Sequence, residues 1–209
     1  MTDMHAQDWL AFARELFTLA KSGQTYSTNA FDQERYKRLM EMSEELTANA
    51  GNLPAAEVNA AFAMQQGYPT PKIDIRAAVF RDGEVLLVKE LADGLWSMPG
   101  GWADLGDGPV AMAVREAYEE TGLDVKVEKL VAVYNHNTER LPLEFFHCYK
   151  MLFLCSITGG QLRPSYETPE VGFFPFDDLP PLSIGRTQPR MLQEAWSHHN
   201  DRNRPTWFE

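Results

Sequence analysis

Residues 99–123 read Pro-Gly-Gly-Trp-Ala-Asp-Leu-Gly-Asp-Gly-Pro-Val-Ala-Met-Ala-Val-Arg-Glu-Ala-Tyr-Glu-Glu-Thr-Gly-Leu. A glycine-rich loop feeds a helix here. Gly108 and Pro109 mark its start, because proline suits the first helical turn, and Gly122 marks its end. At ~100° per residue and with Glu116 set at zero, Glu120 falls near ~40° and Glu119 near ~300°, so three carboxylates share an arc of ~100°. Val110, Val114, Ala117 and Thr121 fall on a second arc, expected to be the core face. Arg115 stands one helical turn before Glu119, within pairing range. A solvated charged face is the ordinary reading of such a run. These acids follow a Gly-Gly loop and have one basic neighbour, so a hard divalent cation bound by carboxylate oxygens accounts for them better.

Outward from this stretch the chain divides. Residues 3–65 read helical: Trp9, Leu10, Phe12, Ala13, Leu16, Phe17 and Ala20 recur at helical spacing until Ser22-Gly23. Asn29 or Asp32 can cap a second helix carrying Tyr36, Leu39, Met40 and Leu46, which Gly51-Asn52 breaks, and Pro54 opens a third through Ala61. Tyr68-Pro69-Thr70-Pro71 is a stiff connector. Beyond it, Ile73–Phe80 and Val85–Val88 form a hairpin about Arg81-Asp82-Gly83, and Val125–Tyr134 and Phe145–Ile157 read as strands. Thr158-Gly159-Gly160 reads as a turn, Val171–Phe176 as a short strand and Thr187–His199 as a last helix. The expectation is two domains, 1–66 and 67–209, with an α-helical appendage before an α/β or α+β core.

Composition excludes several classes. The 209 residues are 44% hydrophobic and 23% charged, enough to bury a core. Thirty acidic residues against nineteen basic give a formal charge of -11, which argues against general nucleic-acid binding. A small anionic substrate bridged by metal remains compatible with that charge. No apolar run reaches the ~18–20 residues of a membrane span, and the opening Met1-Thr2-Asp3-Met4-His5 lacks a signal-peptide pattern. A cytoplasmic protein is expected. Cys148 and Cys155 lie an odd number of residues apart in an extended stretch, on opposite faces, and are expected to be reduced core thiols.

Gly101, five spacers, Asp107, seven spacers, then Arg115-Glu116-Ala117-x-Glu119-Glu120-x-Gly122-Leu123 resembles the Nudix box, and Trp96-Ser97-Met98-Pro99-Gly100 resembles the approach to it. The one departure is Asp107, where the family usually has Glu; one methylene shorter, it is expected to cap the helix. The resemblance covers roughly residues 72–185. The helical front, with Trp9, Gly23, Thr25-Tyr26-Ser27 and Thr70-Pro71-Lys72, resembles the N-terminal domain of a Nudix subgroup acting on X-linked nucleoside diphosphates.

The resemblance implies an α/β fold: a Nudix α/β/α sandwich with a mixed sheet, preceded by a small helical domain. It implies Mg²⁺- or Mn²⁺-dependent hydrolysis of a diphosphate joined to another group, with ADP-ribose and CDP-choline the first candidates. It assigns Glu116, Glu119, Glu120 and the Gly100 carbonyl to the metal. Arg115 would hold Glu119, which would also orient the attacking water or serve as base. Glu170 and Glu167, on a loop before the closing strand, are the other candidate bases. Arg76 on the first strand, Lys89 at the end of the second and His147 among the aromatics Tyr134, His136, Phe145 and Phe146 are the candidate substrate contacts. A capped RNA 5′ end or a nucleotide sugar is the alternative substrate, and a non-catalytic nucleotide sensor on the same fold is the alternative class. The large apolar residues of the front helices, Trp9, Phe12, Leu16, Phe17, Phe31, Tyr36, Leu39 and Leu46, exceed what short helices can cover alone. A homodimer through residues 1–66, bordering the substrate pocket, is therefore expected.

Overall fold

The computed structural model describes residues 6–63, 65–136 and 147–209, with side chains from Trp9 onward. Phe145, Phe146 and the parts of the helical reading at residues 3–5 and 64 lie outside them. The described residues form two compact units: one holds those up to Pro71 together with His147, the other Lys72–His136 and Cys148–Glu209.

The first unit contains α1 (Ala6–Tyr26), α2 (Ala30–Gly51) and α3 (Ala55–Ala63). Asn29 caps α2, its side chain accepting from the amides of Phe31 at 2.9 Å and Asp32 at 3.3 Å. Asn52, in the left-handed region at φ 49°, ends it. The expectation that Ser22-Gly23 stops α1 is corrected: the helix runs on to Tyr26. Gly23 is there because the Tyr36 ring of α2 packs where a Cβ would sit. Ser43 ties α2 to α1 by donating to the Ala13 carbonyl at 2.7 Å. Phe17, Val58 and Phe62 make the buried centre of this unit, the two phenyl rings meeting edge to face at 4.6 Å.

The second unit is built on β1 (Lys72–Arg81), β2 (Glu84–Lys89), β3 (Trp96–Ser97), α4 (Pro109–Thr121), β4 (Leu123–Asn135), β5 (Cys148–Gly160), β6 (Glu170–Pro175), α5 (Pro189–Asn200) and β7 (Trp207–Phe208). The mixed sheet runs β3-β2-β1-β5-β4-β7, with β1 parallel to β5 and β4 antiparallel to β5, while β6 pairs with β2. β1 is buried on both faces; its second half, Ala77–Phe80, is apolar throughout, while its first half carries the buried charges Asp74 and Arg76. Ile75, Ala77 and Val79 pack toward α4, and Ala78 and Phe80 toward α5, which gives the α/β/α layering. Asp82 and Gly83, at φ 52° and 85°, make the tight turn into β2.

Two further expectations are corrected, and two short strands are added. Thr158-Gly159-Gly160 is the end of β5, because β4 supplies pairing partners as far as Leu123↔Gly160. The two-residue strands β3 and β7 are too short for periodicity to reveal. Most consequentially, the buried face of α4 is Met112, Ala113, Ala117, Glu120 and Thr121, while Val110 is 53% exposed. Cys148 and Cys155 are both buried thiols, as expected. Among the described residues no helix is long and apolar enough to cross a membrane.

Candidate active site

The loop preceding α4 is hung from β1 by backbone hydrogen bonds. Ile75 N–H donates to the Gly101 carbonyl at 2.9 Å, Ala77 N–H to Pro99 at 2.8 Å, and Ala103 N–H to Ile73 at 2.9 Å. Gly100 sits at φ 138°, where a Cβ would collide with the Ile75 carbonyl, so only glycine lets the loop approach this closely. Its amide then points at α4 and donates to Glu120 Oε2 at 2.8 Å.

That bond holds a carboxylate in an unusual place. Glu120 is 8% exposed, and burial pushes its pKa up to about 8 against the lowering pull of the Gly100 amide and the Arg76 charge. Glu116 is half-buried beside the same loop; a Cβ on Gly101 would lie 3.5 Å from its Oε2. Burial raises its pKa too, opposed by Arg115. Glu119, with 54% of its side chain exposed, faces outward instead. Glu116 and Glu120 thus lie against the loop, while the more exposed Glu119 is linked to Glu116 through the Arg115 Nη1 that both contact. Among the described residues no three acidic, histidine or cysteine side chains converge as a ready metal cage.

Arg115 organises the outer side. Its guanidinium lies 2.7 Å from Asp104, 3.3 Å from Asp107, 3.1 Å from Glu119 and 3.2 Å from Glu116. Asp107 thus serves as an ion-pair partner. The expected cap is corrected: Gly108 occupies the N-cap, with no side-chain hydrogen bond. Asp104, which no motif singled out, is the tightest of these partners.

The downstream loop reaches the helix end. Thr168 Oγ1 donates to the Glu120 main-chain carbonyl at 3.0 Å, and Ser165 in turn bonds Thr168. Glu167 and Glu170 flank this tether. Lys89 and Glu170 face each other across β2 and β6 and pair at 2.7 Å, so one expected phosphate contact and one expected base engage each other. Arg76 is buried and does not face solvent: it forks onto Asp74 and donates to the Met98 carbonyl. His147 belongs to the helical unit, where desolvation and then the Arg14 charge lower its pKa. Tyr134 and His136 are buried. The sequence carried no signal for Asp74, Glu90, Lys150 or Thr168, whose contacts with Lys150, Arg186, Asp74 and Glu120 respectively join residues distant along the chain.

Two family descriptions match the chain: "UDP-X-like, N-terminal oligomerisation domain" over residues 7–62, and "NUDIX domain" over residues 70–195. YjhB of Bacillus subtilis, whose provisional name is ADP-ribose pyrophosphatase, is 37% identical over 201 residues, 96% of this chain and 97% of that one. An ADP-ribose pyrophosphatase of Methanocaldococcus jannaschii is 31% identical over 56% of this chain and 69% of its own. Among solved structures, an ADP-ribose pyrophosphatase from Streptococcus suis is 38% identical with a TM-score of 0.62, covering 67% of this chain and all of that one. A structure titled UDP-X diphosphatase is 29% identical with the same TM-score of 0.62, over 99% of this chain and 100% of that one.

Proposed function

The chain belongs to the Nudix hydrolase family, and from that premise we propose that it hydrolyses, with a divalent cation, the diphosphate of a nucleoside diphosphate linked to a second group. The observation that carries this reading is the buried Glu120 carboxylate at the glycine loop. An acid held out of water with so few partners is costly on its own and favourable beside a hard cation. Glu116, Glu120 and the Gly100 carbonyl offer only oxygen donors, the set that Mg²⁺ or Mn²⁺ prefers, with Glu119 a further ligand from the outer side. When bound, such an ion neutralises diphosphate charge and lowers the pKa of a water.

The chain's own residues supply the rest. Arg115 keeps Glu119 oriented and screens the acids from one another. Hydrolysis adds water across the phosphoanhydride, and the proton that the water loses needs a carboxylate. Glu119 and Glu170 are the proposed acceptors. Lys89 is proposed to exchange Glu170 for a substrate phosphate, which frees Glu170 to take that proton. The names of the relatives support ADP-ribose and other nucleoside diphosphates with a linked moiety, UDP-linked ones included, as substrates.

The front helices are proposed to join two copies. Trp9, Phe12, Leu19 and Phe31 remain exposed on this unit, and it matches a domain described as an oligomerisation domain. A panel of ADP-ribose, CDP-choline, UDP-sugars and capped RNA with Mg²⁺ or Mn²⁺, products resolved by chromatography, tests the activity. Cleavage of none would sink it. Light scattering of the full chain tests the dimer, and a monomer at micromolar concentration would end it.

A further inference from the structure

We propose that Arg76, fixed by Asp74 and Lys150, is a positioning residue that holds the glycine loop and Glu120 in the geometry that binds the divalent cation, without touching substrate. This rests on the metal-dependent reading of the site given above.

Arg76 projects from β1 toward the α5 side of the sheet, the side of Ala78 and Phe80, yet it is charged and only 4% of its side chain is exposed. Its Nε and Nη2 fork onto the two Asp74 oxygens at 2.9 and 2.8 Å. Its Nη1 donates to the Met98 carbonyl at 3.1 Å and lies 3.8 Å from Glu90. A guanidinium so enclosed has no open face for a phosphate. Asp74 has a second cation, Lys150 Nζ at 3.3 Å, brought in by the parallel register of β1 and β5, which sets Asp74 opposite Lys150. Lys150 is buried as well and also donates to the Arg186 carbonyl at 3.4 Å.

Three buried charges on an otherwise apolar face are a poor way to gain stability, since well-packed apolar residues of similar volume often do as well or better. Their arrangement has a different consequence. Met98 is two residues before Gly100, whose amide holds Glu120. With its fork anchored on Asp74, Arg76 holds the Met98 carbonyl at the start of that loop through Nη1, while the β1 amides of Ala77 and Ile75 hold the Pro99 and Gly101 carbonyls on either side of Gly100. Asp74 and Lys150 fix the plane of the guanidinium. A lysine at position 76 would keep the charge but lose the fork.

The test measures Mn²⁺ binding to the full chain by electron paramagnetic resonance, without nucleotide, alongside steady-state kinetics. Arg76→Lys is expected to weaken Mn²⁺ binding by at least ~10-fold, the scale for residues that orient metal ligands. It should lower kcat at saturating Mn²⁺ while the KM for nucleotide stays within about twofold, because substrate contacts are untouched. Lys150→Met, which leaves the Asp74–Arg76 fork in place, should act in the same direction by about threefold. Unchanged Mn²⁺ binding in the folded variants would overturn the proposal, as would a raised nucleotide KM at unchanged kcat, which would make Arg76 a substrate contact. A variant that only melts earlier would overturn it too. Should Arg76→Lys fail to fold, Lys150→Met decides by the same readouts. Wild-type protein that binds Mn²⁺ but cleaves no nucleoside diphosphate would sink the activity reading and leave this comparison intact. Wild-type protein that binds no Mn²⁺ would overturn both.

Discussion

The two sides of α4 carry the same residue types in opposite physical states. On the outer side, Arg115 meets Asp104, Asp107 and Glu119, all well exposed. Water solvates these groups whether or not they pair, and each such contact is worth under ~1 kcal/mol. On the inner side, Glu116 and Glu120 lie against the glycine loop, and burial disfavours the charged form of both. Glu119 and Glu120 are adjacent in sequence and fall into different regimes. Burial against a constrained backbone, rather than the number of acids, marks where the chemistry is expected.

If that contrast is right, Glu120→Gln is the most damaging single change on the helix. Turnover should fall by at least ~100-fold, the scale for losing a positioned charge. The same change should alter stability in the absence of metal. The folded pKa of Glu120, about 8, lies above its ordinary 4.5, so its contribution to stability is full below 4.5 and is lost as pH rises through 8. Melting temperatures in chelator between pH 5 and 9 should slope downward for the wild type and less so for the variant. Near wild-type turnover would erase the distinction between the two sides.

The next largest effect separates the two proposed bases. Glu170→Gln should cost up to ~100-fold in kcat and flatten its rise with pH, as removal of a general base does. If Glu170→Gln leaves the pH profile intact and Glu119→Gln flattens it, the outer side of α4 supplies the base and the contrast must be redrawn. Arg115→Lys removes a guanidinium that reaches three exposed acids and the half-buried Glu116; unfolding in urea should shift by less than ~1 kcal/mol. The smallest effect belongs to Cys155. Burial pushes its thiol up to about 12, so iodoacetamide at pH 8 should leave the native protein unlabelled. Cys155→Ser should preserve the rate, and a folded variant without turnover would point to thiol chemistry.

Much of the scaffold was legible locally. Pro109 and Gly122 bound α4 where helix-end chemistry puts them, and Asn29 and Asn52 do the same for α2. The glycine-and-glutamate spacing was enough to reveal the family, because a loop, a helix start and a carboxylate arc are all set within twenty-five consecutive residues. What faces the helix is not set there. Ranking by hydrophobicity put Val110 inside and left all three acids on a separate arc; the structure exposes Val110 and buries Glu120. The reversal comes from β1, outside the stretch: its amides hold Pro99 and Gly101 so that the Gly100 amide meets the carboxylate, and its Arg76 charge opposes the carboxylate's own. Arg76 in turn is held by Asp74 and Lys150, which only the pairing of β1 with β5 brings together. The sequence by itself determined the helix, its caps and the glycine that lets the loop pass close to β1, since these depend on backbone conformation and nearest neighbours. Which carboxylate is shut away from water, and which cation answers it, was decided by the tertiary structure, because the electrostatic cost of a charge depends on everything packed around it.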